Sequence, residues 1–526
     1  MEQKRCSIYR SICIAVCALF LGLIPISGCR QNEEFPLEQE VGASGEGNPV
    51  KQYAQTITTE ELKEHITYLA SDKLEGRHSG TIGAGMAANY IANHFQDLNL
   101  NGFSGEENPY FQKFLMVKKK PVESYLESEH GRLDNWDEFM EMHCDFFGER
   151  DVDLIFAGYG RDIDLERIDL RGTLVAFFMG NPDADEIGND LERVKIAAAL
   201  ERGAIGHMII VHDDEDLLKY IHQIKPYFNK PRYYQDKSPE DAAKSERNIV
   251  TTTAAAAKLF GLSPETLKSA KEEMKRGKNQ AGMFQVKIQM KTSFETLETI
   301  SAENVLGYLE GCDKKQECII FTAHYDHLGK SGQNIYNGAY DNASGVAAVM
   351  EIAEAFVTAC AEGHCPRRSL LFLTPDAEEL GGIGSIYYTD HPVFPLSDTV
   401  VDVNIDGIGR EDASRPGLKD FVHVYLSRNG KPDLQKMRDE AIDAISIKLR
   451  LEQRENYGGS DNVFFERELI PAIALSTGHP KDHHKPTDTA DKIKYKNVQA
   501  IAQLAFAMAW EIANSEQRIQ SFSQMK

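Results

Sequence analysis

The chain's 526 residues carry 81 acids against 58 lysines and arginines, a formal net charge of -23 at pH 7. So acidic a protein repels nucleic acid and anionic lipid headgroups, which excludes a nucleic-acid partner and any membrane attachment driven by charge. The length suits one core of about 250 to 300 residues plus a second module of ordinary domain size.

The first predicted element is a leader. Lys4, Arg5 and Arg10 precede an apolar run from Ile12 to Ile26 that Gly22 and Pro25 interrupt and that is short for a membrane span. Ser27 and Gly28 supply the small residues of a secretory cleavage point, and Cys29 directly after them resembles a bacterial lipobox. The expectation is cleavage of residues 1–28, lipidation of Cys29, and an exported bacterial lipoprotein whose only membrane attachment is that lipid, facing the periplasm or the cell surface. Losing three cations and one acid (Glu2) with the leader moves the charge from -23 to -25. Polar, Gly-containing residues 29–55 read as a tether.

Residues 56–121 open a first domain segment, with helical periodicity over Glu61–Ala70 and Gly83–Phe95 joined through Ser71-Asp72-Lys73-Leu74-Glu75-Gly76-Arg77. From 122 to 297 the texture changes to short strands, Val152–Ala157, Thr173–Met179 and His207–Val211, with Gly158-Tyr159-Gly160 after the first of them and a helix over Leu191–Arg202. The expected fold is therefore α/β: a mixed β-sheet flanked by helices, interrupted by an inserted β-rich module, resumed over 298–515 and ending in a Gln- and Ser-containing tail, 516–526.

The resumed segment carries the chemistry. The apolar run Ile319–Phe321 leads to Ala323-His324-Tyr325-Asp326-His327, and residues two apart on a strand share a face, so Asp326 can fix the imidazole of His324 while His327 points elsewhere. Asp341, in Asn337-Gly338-Ala339-Tyr340-Asp341-Asn342-Ala343-Ser344-Gly345, precedes a helical pattern from Val346 to Val357, where an acid serves equally as an N-cap or as a bridge between two metal ions. Glu378 and Glu379 follow the strand Leu370–Thr374, and paired acids there read as a general base beside a ligand. Asp406 ends the strand Val400–Ile405, and His484 lies in Gly478-His479-Pro480-Lys481-Asp482-His483-His484-Lys485-Pro486 after the strand-like Pro471–Ser476. His324, Asp341, Glu379, Asp406 and His484 thus offer two imidazoles and three carboxylates, enough for two zinc-like ions sharing one carboxylate. Four of them stand at or just beyond strand ends, where open α/β sheets form their sites.

From about Ile57 to Ala513 these segments resemble the M28 family of zinc peptidases, which includes bacterial aminopeptidases. The resemblance implies two zinc ions per chain, with Asp341 bridging, His324 and Asp406 on one ion, Glu379 and His484 on the other, Glu378 as general base and Asp326 orienting His324. His484 is preferred because Asp482-His483-His484-Lys485-Pro486 matches an Asp-Tyr-His-x-Pro pattern, with His483 in the Tyr position. Ser460-Asp461-Asn462 departs from the Ser-Asp-His of many relatives, and Tyr457 and Asn462 are candidate donors to a reacting carbonyl. The 122–297 insert resembles a protease-associated (PA) domain through Gly158-Tyr159-Gly160 and Gly203-Ala204; M20-type peptidases insert their extra domain after the first His and Asp motifs, whereas this one precedes His324.

The expected activity is hydrolysis of N-terminal residues of peptides by a metal-activated water, with Glu378 as base. The alternatives are a carboxypeptidase, for which only Arg410 adjoins the motifs as a cation, a glutaminyl-cyclase-like enzyme, or a non-catalytic peptide-binding lipoprotein that has kept the fold. Of nine cysteines, Cys6, Cys13, Cys17 and Cys29 belong to the leader region; Cys144, Cys312, Cys318, Cys360 and Cys365 remain, and the close pairs 312/318 and 360/365 can be disulfides or buried thiols.

Overall fold

The computed structural model describes residues 48–520 apart from 104–107, 142–147, 183–188, 212–213, 239–246, 446–447 and 455–458. The leader, Cys29, most of the tether, Cys144, Tyr457 and residues 521–526 lie outside the described residues. The chain forms two compact units, Met116–Thr299 and the segments flanking it, up to Leu115 and from Ile300 onward.

In the flanking unit the strand Lys314–Thr322 lies between Arg368–Thr374 and Thr399–Ile405, parallel to both, and Ala472–Ser476 adds a fourth parallel strand. Phe421–Leu426 closes one side antiparallel, followed by Arg450–Arg454, and residues 305–309 close the other side antiparallel. The four parallel strands are buried along their length at their C-terminal halves, which is why they read as unbroken apolar runs: both faces are covered. Alternation sorts the side chains between the faces. Ile319 and Phe321 enter the large core with the helices Thr59–Leu69, Ile82–Asp97, Ser344–Ala361 and Tyr495–Asn514, whereas Cys318 and Ile320 enter a smaller core with Tyr388 and Phe465.

The helices start where their caps allow. Thr58 and Thr81 accept hydrogen bonds from the backbone N–H of Glu61 and Ala84, each cap contributing about 1 kcal/mol. At the next helix it is Asn342 rather than Asp341 whose side chain meets a first-turn N–H. Asp341 has extended backbone angles and the helix begins at Ser344, while the side-chain oxygen of Asn342 accepts from Gly345 N at 3.0 Å and Gly407 N at 3.1 Å. The neighbouring amide does the capping, which leaves the Asp341 carboxylate for other work.

On the same helix Glu351 is 2% exposed, with its Oε1 3.1 Å from Nε2 of His65. Burial pushes the Glu351 carboxyl up to about 8 and pulls His65 below its ordinary value, so the contact is a hydrogen bond between neutral groups rather than an ion pair. The unfolded chain ionises Glu351 near 4.5, so this contribution to stability is complete below that pH and is lost as pH rises towards 8. Glu351→Gln should therefore unfold at a temperature less sensitive to pH between 5 and 8 and exceed the wild type in stability at the upper end, with about 1.4 kcal/mol at stake per pH unit over which the two states differ. Parallel stability curves for the two proteins would contradict this.

Within Met116–Thr299 the sheet runs through Gly148–Phe156, Leu174–Phe178, Gly206–Ile210 and Arg247–Thr251, parallel in that order, with Phe139–Glu141 antiparallel beyond the last and residues 285–292 antiparallel beside the first. The helices Asp214–Phe228, Thr253–Phe260 and Pro264–Lys275, not singled out by periodicity, help to cover it. Gly158 turns back at φ +62°, and a Cβ there would meet the Met274 side chain at 2.3 Å. Cys360 and Cys365 form a disulfide, whereas Cys312 is an exposed thiol and Cys318 a buried one.

Candidate metal centre

The expected ligands converge beyond the carboxyl ends of the parallel strands. Asp341, 4% exposed, stands in the middle. Its Oδ1 is 3.4 Å from His324 Nε2, which is also 3.5 Å from Asp406 Oδ1. Its Oδ2 is 3.0 Å from His484 Nε2, which is also 3.4 Å from Glu379 Oε2. The two oxygens of one carboxylate thus face two different groups of ligands, each with one imidazole and one further acid. His484 retains 38% side-chain exposure, so the cluster opens to solvent on that side.

Each member is held from behind. His324 Nδ1 is 3.3 Å from the main-chain oxygen of Asp326 and 3.5 Å from its Oδ1, so Asp326 orients the ring through its backbone as well as its carboxylate. The same carboxylate accepts from Glu378 N at 3.0 Å and Glu379 N at 3.2 Å. Both N–H groups can point that way because Ala377 adopts a left-handed φ of 61°, an arrangement that costs a non-glycine residue about 1 kcal/mol or more. Asp488 holds the Asp341 loop, accepting from Tyr340 N at 3.0 Å and Asp341 N at 3.2 Å. Its position after Pro486-Thr487 gave no signal beyond that of an ordinary turn acid.

Two histidines join the cluster beyond the expected five residues. His327 was expected to face away, but the strand ends at Thr322, so alternation no longer governs where residues 324–327 point. Its Nδ1 lies 2.8 Å from Glu379 Oε1 but off the line of a hydrogen bond, so that neither atom has a hydrogen-bond partner among the described residues. His483 Nδ1, 3.3 Å from Asp341 Oδ2, is likewise unpartnered there, and its ring stacks on that of His484 with centroids 3.8 Å apart. Of the two candidate carbonyl donors, Asn462 donates instead to Glu466 Oε1 at 2.8 Å. Arg410 is engaged by Asp482, with Asp488 4.0 Å away.

The adjacent glutamates differ electrostatically. Burial and the neighbouring Glu379 charge, against the pull of His324, hold the Glu378 carboxyl well above the ordinary range. Burial also opposes ionisation of Glu379, but His327 and His484 outweigh it and bring its pKa down to about 2. Asp341 is held well below the ordinary range by His324 and His484 against the cost of burial. His484 goes the other way: contacts with Asp341 and Glu379 overcome burial and raise it to about 11. Buried carboxylates crowded around imidazoles, with orphaned polar atoms aimed at them, fit a site for cations such as zinc; three triads of suitable spacing occur, His324/Asp341/Asp406, His327/Asp341/Glu379 and Asp341/His483/His484.

Part of the chain is similar to known proteins. Residues 304–509 match peptidase family M28. Aminopeptidase YwaD of Bacillus subtilis (strain 168) is 26% identical over 230 residues, 41% of this chain and 46% of that protein. Aminopeptidase NAALADL1 of Rattus norvegicus is 30% identical over 168 residues, 31% of this chain and 20% of that protein. A probable glutamate carboxypeptidase, LAMP1 of Arabidopsis thaliana, is 30% identical over 192 residues, 34% and 27% of the two chains. The matched segments thus span less than half the length of these relatives. Among solved structures, an aminopeptidase from Aneurinibacillus sp. strain AM-1 is 20% identical, with 90% of this chain and 98% of that chain covered and a TM-score of 0.46. BSAP, a zinc aminopeptidase from Bacillus subtilis, is 17% identical with 89% and 99% covered and a TM-score of 0.45. The whole acid and imidazole cluster lies inside residues 304–509, the segment that is similar to peptidase family M28.

Proposed function

We propose that the chain is a zinc-dependent exopeptidase, an aminopeptidase that releases N-terminal residues from peptides. One observation carries the reading: the two oxygens of Asp341 face His324 with Asp406 on one side and His484 with Glu379 on the other. That arrangement suits two ions sharing Asp341, one completed by His324 and Asp406 and the other by Glu379 and His484. Bound there, zinc supplies Lewis acidity, lowers the pKa of water towards about 7 and, by its charge, favours ionised Glu378.

The protein's own groups do the rest. Glu378, a buried carboxyl held by its backbone N–H on Asp326, is placed to take the proton of the attacking water and return it to the departing amine. Glu379, with its carboxyl near 2, stays ionised as a ligand should. The surplus of acids around the cluster favours a substrate's free α-amine, and Arg410 is already committed to Asp482 rather than set to receive a terminal carboxylate. The same reading assigns residues 122–297 as a PA-like module and Cys29 as a lipid anchor that keeps the exported enzyme at the membrane.

Amino-acid arylamides and their N-acetylated counterparts, assayed with zinc present, test the activity directly. Cleavage confined to substrates with a free amine is the expected result; release of C-terminal residues from blocked peptides would identify a carboxypeptidase instead. His483 and His484 are separable in the same protein. His484→Ala should lose one of two ions because its Nε2 faces both Asp341 and Glu379, whereas His483→Ala, which faces Asp341 alone, should retain both. The reverse pattern of metal content would exchange their roles.

A further inference from the structure

The segment Ser71–Arg77 takes no part in the chemistry above, yet it ends in a side chain with an unusual setting. Arg77 is 1% exposed, and among the described residues its guanidinium makes no ion pair. It donates only to main-chain oxygens: Nε to Tyr325 at 2.8 Å, Nη1 to Asn337 at 2.7 Å and to Leu69, and Nη2 to Gly338 at 2.9 Å. Tyr325 sits between His324 and Asp326, and Asn337 and Gly338 lead into Asp341. One planar group therefore joins the two loops that supply the first ion's imidazole and the shared carboxylate.

The surrounding contacts reinforce the link. The main-chain oxygen of Arg77 accepts from His327 N at 3.2 Å, and the Asn337 side chain donates to Ala70 O at 2.9 Å and Asp72 Oδ1 at 2.8 Å. Gly338 has φ +58°, and a Cβ there would meet Asp341 O at 2.3 Å and the His327 ring at 2.6 Å, so the loop admits no side chain at this position. Burial brings Arg77 down to about 10, with Asp326, Asp341, Asp488 and Glu379 acting against it, so it remains a cation at neutral pH. A buried charge without a contacting partner is costly, and here the acids of the metal centre offset it from a distance. Lysine cannot reproduce the arrangement, because its ammonium lacks the planar fork of donors.

We propose that Arg77 is a positioning residue of the metal centre: it fastens the His324 loop to the Asp341 loop and supplies fixed positive charge that keeps the acidic cluster in its metal-binding shape before any ion arrives. The inference rests on the two-ion reading and adds a residue that offers no ligand atom. In the full chain, Arg77→Lys and Arg77→Gln should bind zinc about 10- to 100-fold more weakly in competition with a chromogenic chelator, Lys less affected than Gln because it keeps the charge. The cobalt-loaded variants should show a visible absorption band shifted from that of the wild type. A merely structural arginine would lower the unfolding temperature and leave both readouts unmoved, so folded variants with unchanged affinity and spectrum would overturn the proposal.

Hydrogen exchange on metal-stripped wild type decides the matter if neither variant folds. Amides of residues 323–329 and 336–345 should stay protected without zinc, and exchange at the rate of an open loop would overturn it. Should the wild type itself bind no zinc, the two-ion reading falls, while the exchange result still decides whether Arg77 holds these loops.

Discussion

Asp341→Ala should lose both metal ions together. No other side chain in the cluster faces both groups: Asp341 Oδ1 approaches His324 and its Oδ2 approaches His484 and His483, whereas Asp406 approaches only the first group and Glu379 only the second. Removing the shared carboxylate leaves the first position with His324 and Asp406 alone, too few for a tight zinc site, and leaves the second with Glu379 as its one acid beside the imidazoles. Metal analysis after dialysis should fall from about two ions per chain to near none, and hydrolysis should fall with it. Full occupancy in this variant would move the bridge to another residue; loss of a single ion would mean that Asp341 serves one site only.

Glu378→Gln and Glu379→Gln should fail in different ways although the two side chains are identical and adjacent. Asp326 holds both backbone N–H groups, one oxygen to each, so the peptide between them is fixed and the side chains diverge. Glu379 turns to His327 and His484, while the nearest imidazole to Glu378 is His324 at 4.0 Å. Loss of a positioned general base should lower the catalytic rate of Glu378→Gln by about 10² to 10⁴ with metal content and KM near normal, and added zinc should not restore it. Glu379→Gln should weaken one metal site, so that excess zinc recovers part of the rate. Metal loss in the first variant with none in the second would reverse the roles, and normal rates in both would remove the pair from the mechanism.

Much of the sheet was legible because its parallel strands are buried on both faces and so write themselves as unbroken apolar runs. Thr399–Ile405 was placed within one residue and Arg368–Thr374 within two. Helices whose apolar stripe is diluted by surface charge, such as Lys431–Ile445, gave no comparable signal and went unmarked. The five proposed ligands stood out because four of them end or follow an apolar strand and Asp341 precedes a helix. His327 did not, since strand alternation continued past Thr322 turns it away from the cluster, whereas the backbone leaves the sheet there. The Asp488 clasp was also hidden, because it depends on a loop brought near from far along the chain. Local pattern locates a residue at a strand end; it does not say which distant backbone that residue will meet.

Stepwise return of zinc to the metal-stripped full chain tests most directly whether Asp341 divides a two-ion hydrolytic centre. Binding should saturate at about two ions per chain, with hydrolysis of a free-amine arylamide absent from the stripped protein and regained as the ions bind. Undiminished hydrolysis by protein verified to contain no metal, or saturation at a single ion per chain, would contradict it.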